Sequence, residues 1–133
     1  MTNRIPFFRM ALNSTIVATI ATTGSVVVSV LAAYAFSRLR FPGRDALFLL
    51  MLSALMIPAQ MTVIPVFVLL RNLKLIDSLP ALWLPALINV FAIFFFRQYF
   101  NTIPRELDEA AKIDGASNIW ILVRVILPLS GPA

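Results

Sequence analysis

Between Met10 and Ser37 the chain carries no charged side chain, and that run decides what it can fold into. A helix needs about 20 mostly apolar residues to cross the hydrocarbon core of a bilayer. The run is long enough. Its Val, Ile, Leu and Ala are mixed with Ser, Thr and Gly24, the small residues that let helices in a membrane pack closely. The apolar part of a secretory signal peptide is only about 7–15 residues long, too short to account for it. Two more uncharged runs follow, Ala46 to Leu70 and Leu79 to Phe96. Lipid offers no partner for free backbone groups, so each run must satisfy its own hydrogen bonds. The expected fold class is therefore all-α, a polytopic transmembrane helical protein. Its spans fall at about 11–36, 46–70 and 79–97, and a polar region at about 98–128 follows them.

Composition removes most other readings. Apolar residues make up 60% of the chain and charged residues 13%, against about 45–50% and 25% in soluble domains. A water-soluble globule is excluded, and the length sets one domain, 1–133, as the ceiling. With no cysteine and no histidine, disulfides, thiol nucleophiles and the commonest zinc sites are ruled out. All six carboxylates lie in the polar connections, so no paired acid sits in an apolar pocket to do acid–base work. No glycine-rich phosphate loop is present. An enzyme is not expected, nor is a cofactor, and if ATP drives this system a partner must bind it. The net charge of +5 is spread over the ends of the apolar runs. That placement reads as membrane topology and headgroup contact, not nucleic-acid binding.

The second and third runs carry prolines. Pro58 and Pro65 are expected to kink or break the second, which places it against other helices or a cavity. Pro80 and Pro85 open the third, and Trp83 and Tyr99 near its ends are candidate interface anchors. Asn89 is the most polar residue inside the third run, and Gln60 lies within the second. Such groups line a solute path or bond a neighbouring helix, and packing is the commoner role for amides. The Phe91–Phe96 cluster reads as lipid contact or core.

Three spans alternate the sides of the polar segments. The 38–45 and 97–124 segments share one side and hold seven Lys/Arg; the N-terminus and 71–78, on the other, hold four. The positive-inside rule puts 38–45 and 98–128 in the cytoplasm.

The polar region has its own pattern. Pro104 suits a first helical position. Glu106, Asp108 and Glu109 favour the positive end of a helix dipole. Leu107, Ala110 and Ala111 share one face by spacing. Asp114-Gly115 is a stop and turn, and Ser117 can cap a second helix. In that helix Ile119, Leu122, Val123 and Ile126 recur at amphipathic spacing, and Pro128 is expected to end it. Two alanines permit close approach by another protein, and a side chain at Gly115 would obstruct the turn or the contact.

Glu109-Ala110-Ala111, then three residues to Gly115, then nine to Val125, one more, and Leu127-Pro128 resembles the EAA loop of bacterial ABC-transporter permeases. Val125 stands where that pattern has Ile. The likeness extends along the chain, through Ala32 to Arg44, Met56-Ile57-Pro58, Ile64-Pro65, Leu84-Pro85, Phe96 to Phe100 and Ile103 to Leu107. These stretches are similar to the maltose-type sugar-uptake group of type I importers. The resemblance implies a partial type I ABC permease fold in a bacterial inner membrane. It implies that Glu109, Ala110, Ala111, Asp114, Gly115, Leu127 and Pro128 form a cytoplasmic coupling loop that docks an ABC ATPase subunit. It also implies a second permease subunit, an extracytoplasmic solute-binding protein and alternating access driven by ATP. Members of that family have about six spans, so three are expected to be part of one. A truncated paralogue that binds partner subunits without forming a path is the alternative.

Overall fold

The structure, a computed structural model, describes residues 7–131. Arg4, which enters the charge count, and Pro132 and Ala133 lie outside the described residues. The chain begins with α1 (Phe7–Arg38). Next come α2 (Arg44–Ser53), prolonged by a 3-10 turn at Ala54–Met56, and α3 (Ala59–Asn72). After a polar loop, α4 (Pro80–Trp83) and a 3-10 turn at Pro85–Leu87 lead into α5 (Val90–Thr102). The polar region supplies α6 (Glu106–Ile113) and α7 (Asn118–Ile121), which continues through a π turn at Leu122–Ile126 into α8 (Leu127–Leu129). There is no strand among the described residues.

Two stretches, Phe7–Arg38 and Pro80–Thr102, are long and apolar enough to cross a membrane. The middle run supplies a third candidate only as a bent pair, Arg44–Met56 and Ala59–Asn72, at 104°. Pro58 makes the bend. The residue before a proline is pushed out of the helical region, and Ile57 is extended at φ −86°, ψ 117°. Pro65 behaves differently: it lies inside α3, which runs on through it. It costs the helix one hydrogen bond without ending it.

Spans α1 and α4–α5 run parallel. Leu82 shares a hollow with Asn13 and Val17. Farther along, Gly24 lies against Leu87, Arg97 Nε donates to the Phe36 carbonyl at 3.3 Å, and Arg38 reaches the carbonyls of Phe100 and Ile103. The bent pair provides the return. The polar segments after α1 and after α5 therefore meet at one end of the molecule, the juxtaposition that alternating spans require.

The core lies at that same end. Val30, Ala33 and Tyr34 of α1 pack with Ile93, Phe100 and Ile103, and with Ile121, Leu122 and Ile126 of the last helix. Rings continue the packing to α2: Phe36–Phe48 centroids are 5.4 Å apart and Phe48–Phe94 6.4 Å. The Arg97 guanidinium sits 3.9 Å above the Phe48 ring, a cation–π contact. The phenylalanines divide, since Phe91 and Phe95 are exposed. Tyr99, expected as an interface anchor, donates its hydroxyl to the Leu129 carbonyl at 3.4 Å and so ties α5 to α8. No residue of α3 is buried, and its apolar side chains suit lipid or other spans.

The end of α3 stores strain. Lys74 N–H bonds the Arg71 carbonyl and Leu75 N–H the Leu70 carbonyl, the paired bonds of a Schellman cap. Its left-handed position, usually glycine, is Lys74 at φ 56°. Lys74→Gly is expected to stabilise the chain by about 1 kcal/mol, read as a raised unfolding midpoint in nanodiscs.

Candidate functional site

The polar loop begins later than Pro104. That residue lies just outside α6, Arg105 is the N-cap, and its carbonyl accepts from the N–H groups of Asp108 and Glu109 at 3.0 Å. Glu106, Asp108 and Glu109 occupy the first turn, where the exposed amides favour negative charge. The helix stops as its sequence indicates. Gly115 is left-handed at φ +82°. Its N–H bonds the Lys112 carbonyl, and the Ala116 N–H bonds the Ala111 carbonyl at 2.9 Å. These are the two bonds of a Schellman cap. No atom lies within 4 Å of where a Gly115 Cβ would stand, so a side chain there would project into open space. The constraint on Gly115 inside the chain is its backbone angle, not crowding.

Ser117 caps the next helix, its hydroxyl oxygen accepting from Trp120 N–H at 3.3 Å. That helix does not end at Pro128 as expected. It passes through the π turn to Leu129, with Pro128 in the first turn of α8. A proline lacks the N–H that would close an α-type bond on Arg124 and needs room for its ring; the wider π turn just before it provides that room. The buried face is accordingly Ile121, Leu122 and Ile126, while Ile119 and Val123 are exposed.

The face shared by Leu107, Ala110 and Ala111 is divided in the structure. Leu107 and Ala110 are exposed, and Ala111 alone of that trio packs against the core. The residue buried beside it is Asp108. Asp108 Oδ2 lies 3.0 Å from Arg38 Nη1, and the two side chains are 10% and 3% exposed. Arg38 Nη2 donates to the carbonyls of Phe100 at 2.6 Å and Ile103 at 2.8 Å. Arg105 Nη2 adds a bond to the Ser37 carbonyl at 3.3 Å. A cation belongs at the C-terminal ends of α1 and α5, and an anion at the start of α6. The pair thus satisfies three helix ends at once.

Two hollows flank α6. A shallow groove of about 660 Å³ is lined by Ala111, Asp114, Gly115, Trp120 and Val125, among others. Ile113 and Ile119 stand exposed on the same loop. On the other flank Glu109 lines a charged cleft with Arg40, Arg105 and Lys112. The structure therefore brings Ala111, Asp114 and Gly115 together around one groove and sets Glu109 on the opposite side. Ala110 lies exposed on α6, and Leu127 and Pro128 line neither hollow. Asn89 is the N-cap of α5, its Oδ1 accepting from Ala92 N–H at 3.0 Å. Gln60 is exposed in the first turn of α3. Among the described residues no cluster of acidic side chains could hold a metal.

Fold and loop define a polytopic all-α membrane protein whose spans carry a polar two-helix loop at one end. A family model described as "Binding-protein-dependent transport system inner membrane component" matches residues 25–133, and the chain belongs to that family of ABC-transporter permeases. It is 43% identical over 129 residues to the sn-glycerol-3-phosphate transport system permease protein UgpE of Shigella flexneri serotype 5b, covering 97% of this chain and 46% of that protein. Against the permease of the same name from Escherichia coli K12 the identity is 42%, with the same coverage. Among solved structures it superposes with a TM-score of 0.74 and 32% identity on a chain of a bacterial ABC transporter involved in the import of the acidic polysaccharide alginate. That match covers 87% of this chain and 42% of the other. The chain spans about half the length of the curated relatives it matches. Its fold is a partial type I permease fold.

Proposed function

We propose that this chain is the loop-bearing part of an inner-membrane permease subunit of an ATP-driven importer for sugars or related polyols. The observation that carries the reading is the loop: α6 exposes Glu109, Ala110 and Ile113 and ends at the left-handed Gly115 beside an open groove. The ABC ATPase subunit docks there, with Ala110, Ala111, Asp114 and Gly115 as the close contact surface and Glu109 as the charged contact on the other flank. Leu127 and Pro128 act indirectly by setting the course of the second helix. Basic residues favour the cytoplasm for this end. The polar solute class is supported by the sn-glycerol-3-phosphate permeases and the alginate importer. A second permease subunit and an extracytoplasmic solute-binding protein complete the path. The family supports reading the subunit as a transport component, with ATP hydrolysis in a separate partner. Asn89 and Gln60 remain candidates for the solute path: among the described residues Asn89 is bonded only through its Oδ1, at the break before α5.

Gly115→Val in the assembled transporter tests the docking role. A β-branched residue at positive φ costs about 1–3 kcal/mol, and its methyls point where the partner must sit. The ATPase should fail to co-purify with the variant, and solute uptake into vesicles should fall to background. Normal co-purification together with normal uptake would refute the assignment of the loop.

A further inference from the structure

The geometry points to Arg38 and Asp108 as positioning residues for coupling: they form the joint through which movement of the docked loop is passed to α1 and α5. The inference rests on the loop being the ATPase contact proposed above. One guanidinium holds three segments. It is the last residue of α1, it bonds the carbonyl of Phe100 in α5 and that of Ile103 in the following connection, and it pairs with Asp108 in α6. Apart from Asp108 and the half-buried Ala111, α6 is exposed along its length. Without the ion pair, α6 would rest on the Ala111 methyl and on the 3.3 Å bond from Arg105 at its N-cap to the Ser37 carbonyl, and could slide against the span ends. With it, a push on α6 must move the ends of α1 and α5 together.

Stability does not account for the pair. A buried ion pair is commonly no better a stabiliser than apolar side chains of the same volume, because both ions lose their hydration. This pair is also incompletely satisfied: Arg38 Nε and Asp108 Oδ1 are buried with no hydrogen-bond partner. What it supplies, and apolar packing would not, is a short tether of fixed direction between α6 and the spans.

The test uses Asp108→Asn in the full transporter reconstituted with its ATPase, with uptake and ATP hydrolysis measured on the same vesicles. Asparagine keeps the shape and removes the charge. The ATPase should still co-purify, because Asp108, though it borders the Glu109 cleft, is buried against Arg38 and offers a partner almost no surface. Solute moved per ATP hydrolysed should drop roughly tenfold or more, the scale on which small losses of alignment act. An unchanged ratio would overturn the joint. So would loss of co-purification in parallel with uptake, which would place Asp108 in the docking surface itself. Failure of the docking reading shows separately, as normal co-purification of the Gly115→Val form. If Asp108→Asn does not accumulate, Arg38→Met with Asp108→Leu removes both charges together and carries the same expectation. A direct readout comes from spin labels. The chain has no native cysteine, so the exposed Arg40 and Lys112 can be replaced by cysteine and labelled. A narrow distance distribution that broadens in Asp108→Asn is the expected result, and an unbroadened one contradicts the tether.

Discussion

Arg38→Ala is expected to destabilise the chain by about 3–5 kcal/mol, the usual cost of removing one partner from a buried ion pair. The loss has two parts. Asp108 keeps a carboxylate that is 10% exposed and no longer has a cation beside it. The Ile103 carbonyl loses its donor, and the Phe100 carbonyl keeps only the Ile103 N–H at 3.2 Å; a buried unpaired acceptor costs about 1–3 kcal/mol. Against a total stability of about 5–15 kcal/mol this is a large fraction. The measurement is the unfolding midpoint of the chain in nanodiscs, beside Arg38→Met, Asp108→Leu and the double variant Arg38→Met/Asp108→Leu. The double variant leaves no uncompensated charge and should recover roughly half of the single-variant loss, the remainder being the lost bonds to the Phe100 and Ile103 carbonyls. Single losses that simply add in the double variant would show that the two groups do not interact.

That pair is also the clearest case of what the sequence hides. The charge-free runs announce helices because lipid allows few other structures, and α1 and α5 lie where those runs are. The caps of the loop were readable too, since Gly115 and Ser117 act through bonds to neighbours only a few residues away. Arg38 and Asp108 are 70 positions apart, and each has a sufficient local explanation: a cation after a span, a carboxylate in a first helical turn. Nothing local says they are the same interaction. One trace of it exists. Asp108 and Ala111 are spaced three apart, so the two share one face of α6. The π turn was hidden for a similar reason, because a proline signals a helix end by default and only packing of Ile121, Leu122 and Ile126 keeps the helix going past it. Asn89 looked like a polar residue inside a span; the third run is in fact broken between Leu87 and Val90, and Asn89 closes the break.

Gly24→Leu should loosen the parallel pair of spans. At Gly24, α1 approaches the 3-10 turn before α5 so closely that a Cβ would collide with the Leu87 side chain. Small residues at such crossings are what allow membrane helices to exploit backbone packing, since lipid supplies little hydrophobic force between them. Alanine adds one carbon, and the atom it meets is the far end of a flexible leucine, which can rotate away; Gly24→Ala is expected to cost under about 1 kcal/mol. Leucine cannot be absorbed so locally. It must push the turn outward or leave its own rotamer, for about 1–3 kcal/mol. Leu87→Ala should rescue much of that loss by returning the volume, so the two positions should be non-additive. Unfolding midpoints of the three variants in nanodiscs decide it. If Gly24→Leu matches the parent chain, the close approach is not what holds α1 to the start of α5. The consequence reaches the loop, because the same parallel packing brings Arg38 to Phe100 and Ile103 at the other end of the pair. A shift at Gly24 large enough to tilt α5 must lengthen those bonds, so a stability defect at one end of the spans is expected to appear as a misaligned loop at the other.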